Sequence, residues 1–315
     1  MNNILIITNS EDATADYLID RIGGKVNFVR FDTDLDLKNF SAYWTKRGFE
    51  LSLNKEKLNI ADIYNVWYRR PKPFTLNTEI PEIEQRHAIE EWQEAIEGIL
   101  TIIPTEKWIN HPLSIKRASY KIEQLNRCNK FGLKAPRTLL TSGKKDLRNF
   151  YQEVGDIVIK PISHGYLEGR DLLTDKLLYT NSLNEEQISQ FPNENLCPTL
   201  FQQKIRKEYD IRITVLDDKL VAVKLSNPNN KKIDIRRDNM EGVSYASYEL
   251  PNELKNGIIS LVKSYGLRFG AVDLVKSVNG DYYFLEINPN GQWAWMDIYG
   301  KTEIYSLFLK TFSNA

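Results

Sequence analysis

Apolar and polar positions alternate along this chain with periods that mark both strands and helices. Ile4-Leu5-Ile6-Ile7-Thr8 is an almost unbroken apolar run of strand length, the pattern of a strand covered on both faces. Residues 12–22 follow with helical spacing, closed by Gly23-Gly24, and 26–31 return to a strand. Strand, helix and strand in that order predict a small α/β domain. Val66-Trp67-Tyr68-Arg69-Arg70-Pro71 reads as a further short strand ending in a basic pair. From 79 to 100, Ile80, Ile83, His87, Trp92, Ala95, Ile96 and Ile99 recur at three- and four-residue spacing. That stripe predicts a helix with His87 packed on its apolar side.

Asn110-His111-Pro112 punctuates the chain and sets the first boundary. Beyond it the spacing predicts one helix, with Ile115, Ala118, Ile122 and Leu125 on one face and Gly132 as its stop. Residues 134–141 read as a strand, Ser142 as the cap of a helix to about Val154, and 156–161 as a strand ending in Lys160-Pro161. From 200 onward strands dominate, at 200–205, 210–216, 220–225 and around Asn279-Gly280, with a helix at 251–265. Three segments result, 1–112, 113–198 and 199–315, in an α/β protein whose later subdomains are α+β.

Chemistry concentrates near the end. Asn-Gly between two β-prone runs predicts a two-residue hairpin turn. With Asn279 and Gly280 as that turn, Asp273 falls opposite Glu286, and Asn288 shares the face of Glu286 by alternation. Two facing carboxylates and an amide oxygen repel one another unless a cation sits between them. Hard oxygen donors of this kind suit Mg²⁺ held together with nucleotide phosphates. A solvated acidic rim is the plain alternative. Apolar Ala271, Phe284, Leu285 and Ile287 around the polar positions speak against it.

Positive charge stands at other strand ends. Lys160 closes a buried-looking strand and leads into Ser163-His164-Gly165, a placement suited to phosphates. Asp210 and Arg212 leave one face of a strand whose other face is Ile211, Ile213 and Val215, which suits Arg212 to phosphates; a self-neutralising surface pair is the lesser alternative. Lys224 stands opposite Arg212 if the turn at 217–219 has three residues, and does not if it has two. Lys121, next to Ile122, serves equally well as a surface lysine. Gln202, Gln203, Lys204 and Ile205, after Phe201, can offer backbone groups to an adenine edge. The polar stretch 227–237, with Lys231, Lys232, Arg236 and Arg237, reads as a solvated loop or, beside phosphates, as a lid. No Gly-x-x-x-x-Gly-Lys-Ser/Thr loop is present, and no His-Arg-Asp or Asp-Phe-Gly pair, which excludes P-loop NTPases and protein kinases.

Bulk composition narrows the partners. Lys+Arg and Asp+Glu are both 42, so the formal net charge is zero, which argues against nucleic-acid binding through a broadly basic surface. Cys128 and Cys197 lack metal-ligand spacing and read as free thiols in a reducing cytoplasm. No apolar run approaches a membrane span, and the N-terminus has no signal-peptide pattern.

Taken in order, Lys160-Pro161, Gln202 to Ile205, Asp210-Ile211-Arg212, and Asp273 with Glu286-Ile287-Asn288 resemble the ATP-grasp superfamily. Further elements narrow the resemblance to the graspetide (microviridin-type) ribosomal peptide maturases. These are Val66 to Arg70, Asn110-His111-Pro112, Lys121 with Gln124-Leu125, Gly132 with Pro136-Arg137-Thr138, and Asn288 to Trp295. It extends over nearly the whole chain. Gln203-Lys204 departs from it, standing where relatives commonly carry Glu-Tyr.

The resemblance implies an ATP-grasp fold behind an N-terminal Rossmann-like pre-ATP-grasp domain, with ATP and Mg²⁺ as cofactors. Lys121, Lys160, Gln202, Gln203, Lys204, Ile205 and Asp210 would bind the nucleotide, and Asp273, Glu286 and Asn288 the metal. Arg212 and Lys224 would act on the transferred phosphate or the developing oxyanion. Arg69, Arg70 and the basic residues 231, 232, 236 and 237 are assigned to an acidic core peptide, the last four on charge complementarity alone. Family members bind a ribosomal precursor peptide through its leader and activate core Asp or Glu carboxylates as acyl phosphates. They then close lactones with Ser or Thr, or lactams with Lys, and they form homodimers. Two other readings stay open: an ATP-grasp ligase adding amino acids to a protein C-terminus or small acid, and a nucleotide-dependent peptide-binding module without turnover. Trp293 and Trp295 read as core packing rather than as a stacking platform.

Overall fold

The computed structural model describes residues 1–35, 40–53, 56–76, 79–163, 165–167, 176–227 and 240–313. Two units emerge from its internal contacts: Met1–Ile115 with Gly266–Phe269 and Pro289–Ala315, and Lys116–Tyr265 with Gly270–Asn288. The segment from Pro289 onward, grouped on sequence with the third segment, packs in the first unit.

The first unit opens with β1 (Asn3–Thr8), α1 (Ala13–Ile22) and β2 (Asn27–Asp32). A meander of β3 (Ser41–Thr45), β4 (Gly48–Leu53) and β5 (Glu56–Asn59) follows, then β6 (Ile63–Tyr68), α2 (Glu82–Leu100) and β7 (Trp108–Ile109). α3 (Pro112–Ala118) leads out of it. The second unit holds α4 (Lys121–Cys128), β8 (Thr138–Gly143), α5 (Lys144–Val154) and β9 (Ile157–Lys160). Next come the short pair β10 (Tyr166–Leu167) and β11 (Lys176–Leu177), then β12 (Asn181–Leu183), α6 (Glu185–Gln190) and β13 (Glu194–Gln203). β14 (Lys207–Leu216), β15 (Lys219–Ser226), β16 (Ser244–Ser247), α7 (Asn252–Ser264), β17 (Phe269–Ser277) and β18 (Tyr282–Asn288) complete it. α8 (Ala294–Gly300) and α9 (Ile304–Ser313) return to the first unit.

In the first unit the strands run parallel in the order β2-β1-β6-β7, as the opening pattern predicts. Leu5, Ile7, Val29 and Val66 share one core with Leu51, Leu53 and Leu58 of the meander and Ile96 of α2. Ile4 and Ile6 are also fully buried, which explains the unbroken apolar run. Trp67 lies 4.9 Å from Phe308, and Phe308 stacks on Trp293 at 4.9 Å, so Trp293 is core packing as expected. The meander has no counterpart in the sequence-based elements. His87 is exposed, contrary to expectation. It precedes Ile96, the buried residue of α2, by nine positions, and at about 100° per residue this puts it half a turn round the helix.

In the second unit a four-stranded antiparallel sheet, β12-β9-β13-β8, carries Ile157 and Phe201 into a core with Leu147 and Phe150 of α5 and Ile188 of α6. The other sheet runs β16-β15-β14-β17-β18, with α7 against β15. The single helix expected after Pro112 is two, α3 and α4. The Ala118 carbonyl, which a continuous helix would pair with Ile122 N–H, accepts instead from the Gln124 side chain at 2.6 Å. Gln124 and Cys128 are the buried residues of α4, while Ile122 is 40% exposed. Gly132 is left-handed (φ 73°), as read. The residue before α5 is Gly143 rather than Ser142; its N–H donates to Thr141 Oγ1.

Gly257 in α7 shows how close the packing is. A Cβ there would stand 2.5 Å from the Phe131 carbonyl oxygen and 3.2 Å from Leu133 Cδ2. Gly257→Ala is expected to destabilise the protein by about 1–3 kcal/mol, read as a lower midpoint in a thermal melt.

Candidate functional site

The hairpin β17–β18 places the two carboxylates by a route the sequence does not show. Ser277 N–H donates to Asp281 O and Gly280 N–H to Ser277 O, both at 2.9 Å, and Gly280 has φ 88°. The turn is therefore three residues long, a β-turn closed by a left-handed glycine. That offset alone would set Asp273 against Leu285. The ladder pairs Lys276 with Tyr282, Val275 with Tyr283 and Leu274 with Phe284, then slips one residue. Below the slip Asp273 faces Glu286 and Ala271 faces Asn288. The expected pairing is present, restored by a bulge at Leu285, a device that re-aims side chains locally.

Cations gather on this carboxylate face. Arg212 Nη1 donates to both oxygens of Asp273, at 2.9 and 2.8 Å. Lys121 Nζ stands 3.8 Å from Glu286 Oε2 and donates to the carbonyls of Pro161 and Ser163, at 2.9 and 3.1 Å. Those carbonyls lie in the loop just after Lys160 and β9, so Lys121 ties α4 both to Glu286 and to that loop. Asp210 is held by Lys207 at 2.6 Å.

Lys224 is not brought to Arg212. The turn between β14 and β15 has two residues, Leu216 pairing with Lys219. Arg212 therefore faces Val223, and Lys224 faces Ile211 on the other side of the sheet. Its ammonium lies 4.1 Å from the centroid of Tyr209. The sequence left this turn length open, and the shorter turn removes Lys224 from the reacting face.

Two carboxylates and the exposed amide of Asn288 make too small a donor set for an all-protein cage. Among the described residues no group of three or more His, Cys, Asp or Glu side chains is placed to hold a metal. Mg²⁺ fits such a partial set, because it keeps waters and takes oxygens from nucleotide phosphates.

At the adenine candidates, Gln202 is buried and donates to Thr138 Oγ1 at 3.0 Å. The Gln203 and Lys204 N–H groups donate to the carbonyls of Arg137 and Asp156, each at 2.8 Å. These two donors are committed to the fold.

Arg69 is 1% exposed, and its Nε and Nη2 donate to the two oxygens of Asp12 at 2.8 and 3.0 Å. It forms a buried ion pair with Asp12, and both residues also line the crevice that holds Arg70. Asp12 also caps α1 and accepts from the Thr8 hydroxyl at 2.6 Å. Burial pushes the Asp12 carboxyl up, but the hydrogen bonds and charge of Arg69, with Thr8, outweigh it and lower it to about 2. Arg70 is exposed and lines a crevice of about 560 Å³ with Asn9, Glu11, Tyr68, Lys72 and Asn290. It lies at the carboxyl ends of β1 and β6, where the strand order reverses and α/β sheets commonly take ligands. Lys231, Lys232, Arg236 and Arg237 fall outside the described residues.

Asn110 has a part the sequence pattern does not disclose. Its Oδ1 accepts from the N–H groups of Arg268 and Phe269, and its Nδ2 donates to the carbonyls of Phe269 and Pro289. Held in left-handed backbone (φ 69°), it makes four hydrogen bonds through its side-chain amide inside the first unit.

Two family models match the chain: the MvdD pre-ATP-grasp domain over residues 3–116 and the RimK-like ATP-grasp domain over 118–311. The fold is similar to that of a RiPP-associated ATP-grasp ligase from Chryseobacterium gregarium, solved in complex with ADP and a leader and core peptide. That likeness has a TM-score of 0.87 and 27% identity, covering 100% of this chain and 97% of the other. The macrocyclase MdnC from Microcystis aeruginosa MRC, bound with precursor peptide MdnA, shares the fold at TM-score 0.83 and 23% identity, over 99% and 100% of the two chains. A glutathione synthetase from Wigglesworthia glossinidia brevipalpis is 29% identical over 187 residues. The match takes in 57% of this chain and spans 54%, about half, of that relative.

Proposed function

The chain belongs to the RimK-like ATP-grasp family, and on that footing we propose that it is an ATP-dependent macrocyclase of a ribosomal precursor peptide. The observation that carries this is the full-length likeness to a peptide ligase solved with ADP, leader and core. The convergence of Lys121, Arg212, Asp273 and Glu286 supports it.

A core Asp or Glu carboxylate attacks the γ-phosphorus of ATP, giving an acyl phosphate and ADP. A Ser or Thr hydroxyl, or a Lys amine, then attacks the acyl carbon and expels phosphate. Each ring forms with the net loss of one water from the peptide. Lys121, anchored to the loop after β9, and Lys160 hold phosphate oxygens in line for transfer. Arg212, fixed by Asp273, presents its guanidinium to the transferred group and to the oxyanion formed at the acyl carbon. Bound Mg²⁺ neutralises charge on the transferring phosphates, and Asp273, Glu286 and Asn288 are the residues that would hold it. Arg70, in the first unit's crevice, is suited to an acidic side chain of the peptide. A cytoplasmic homodimer completes this picture, the setting supported by the free thiols of Cys128 and Cys197 and the dimer by family resemblance.

Incubation with ATP, Mg²⁺ and an acidic precursor peptide encoded beside this protein, followed by mass spectrometry, tests the proposal. Loss of one water per crosslink is expected, with esters cleaved by base and amides resistant. A mass gain in amino-acid units would replace it with the amino-acid ligase, in line with the glutathione synthetase match.

A further inference from the structure

Between the two candidate metal ligands of β18 sits Ile287, and its backbone is held by one side chain. We infer that Gln124 is a positioning residue for the metal site, fixing the aim of Glu286 and Asn288 through the peptide groups of Ile287. This rests on the reading of those two residues as Mg²⁺ ligands.

β18 is an edge strand. Gln124 Oε1 accepts from Ile287 N–H at 2.9 Å, and Nε2 donates to the Ile287 carbonyl at 2.9 Å and to the Ala118 carbonyl at 2.6 Å. Both backbone groups of a residue in an antiparallel strand point to one side, so at Ile287 they turn away from β17 and Gln124 acts as the missing neighbour. The amide orientation is fixed, because an N–H can only donate and must face the oxygen. The amide is satisfied and 2% exposed.

The consequence lies in which peptide groups are clamped. The Ile287 N–H belongs to the peptide joining it to Glu286, and its carbonyl to the peptide joining it to Asn288. Holding both fixes the planes from which the two ligand side chains leave. Lys121, three residues earlier on the same helix, reaches Glu286 directly. α4 is itself braced: Arg127 donates to Glu123 at 2.6 Å and to the Ser264 carbonyl at 3.0 Å, and Tyr265 donates to Glu123 at 2.5 Å. Burial pushes the Glu123 carboxyl up, but Arg127 and Tyr265 outweigh it and keep it below the usual carboxylate range. An anionic Glu123 thus holds α4 firm.

Edge capping alone would give Gln124 a role in stability and nothing more; metal affinity separates the two. Binding of Mn²⁺ in the presence of ADP, followed by electron paramagnetic resonance, is compared in the wild type, Gln124→Met, Gln124→Glu and Val262→Ala. Val262 is fully buried on α7 beside the Ile287 side chain, so it reports what a loss of packing there does while the Gln124 hydrogen bonds stay in place. Met removes all three hydrogen bonds at nearly constant length, and Glu keeps the acceptor while losing both donors. Both are expected to weaken Mn²⁺ binding by about 10- to 100-fold, with ADP affinity in the absence of metal changed less than about twofold. Mn²⁺ affinity unchanged, or weakened no more than in Val262→Ala, would overturn the inference. Should the Met variant fail to fold, the Glu variant decides the matter by the same criterion. If the wild type itself binds no Mn²⁺ with ADP, or Glu286→Gln binds it equally well, the metal-site reading fails; if only the Gln124 variants match the wild type, this inference alone does.

Discussion

Asp273→Asn is expected to lower the rate of ring formation by about two to three orders of magnitude while leaving the fold intact. Under the proposed function Asp273 has two roles on the carboxylate face. Its carboxylate is one of the two anionic donors proposed for the metal, and both its oxygens hold Arg212 Nη1. An amide gives up the charge and can accept through one atom only. Arg212 would then be free to turn from the position in which it meets the transferred phosphoryl group. The pair is partly exposed, at 12% and 29%, so little stability rests on it. The check is single-turnover formation of the dehydrated peptide at saturating ATP, with a melt alongside. A rate within threefold of wild type would remove Asp273 from the chemistry.

Arg69→Met is expected to have the largest effect on stability. Arg69 and Asp12 are 1% and 0% exposed, so neither reaches water once its partner is gone. Deleting one member of such a pair leaves a buried, uncompensated charge and typically costs about 3–5 kcal/mol. The Thr8 hydroxyl and the α1 N–H groups are all that would remain for Asp12. Asp12→Asn in the Arg69→Met background should recover part of the loss. Acid gives an independent measure. The Asp12 carboxyl falls from its ordinary 3.8 to about 2, so its stabilisation is complete above about pH 4 and is lost as pH falls toward 2. That shift corresponds to roughly 2 kcal/mol. Melts from pH 7 to pH 2 should show the wild type's advantage over the variant shrinking as pH falls toward 2, and parallel curves would refute the assignment.

Much of the site was legible because it depends on short-range pattern. The alternation around Asn279-Gly280 placed Asp273 against Glu286, and the apolar other face of β14 sent Asp210 and Arg212 out together. The pairing nonetheless rests on a longer turn and a compensating bulge, neither of which an alternating pattern encodes. Lys224 hung on the length of one turn, and a single residue moves a side chain to the opposite face. Arg69 and Arg70 are adjacent, chemically alike and line one crevice, yet the first is buried against Asp12 and the second is exposed. That difference follows from strand alternation combined with a partner nearly sixty residues away, which local pattern cannot supply. Gln124 was hidden by an amphipathic count that treats polar positions as exposed. The meander β3–β5 escaped because its short strands alternate too weakly to stand out.

The return of the C-terminal segment to the first unit bears on how the chain is made. Trp67 on the central parallel strand packs against Phe308 and Phe312, and Asn2 donates to the Phe312 carbonyl across a separation of 310 residues. During synthesis the strands of the first unit therefore emerge with one apolar face bare and stay so until α9 has left the ribosome. The first unit cannot close until α9 is made, and over that interval its bare apolar face is open to aggregation.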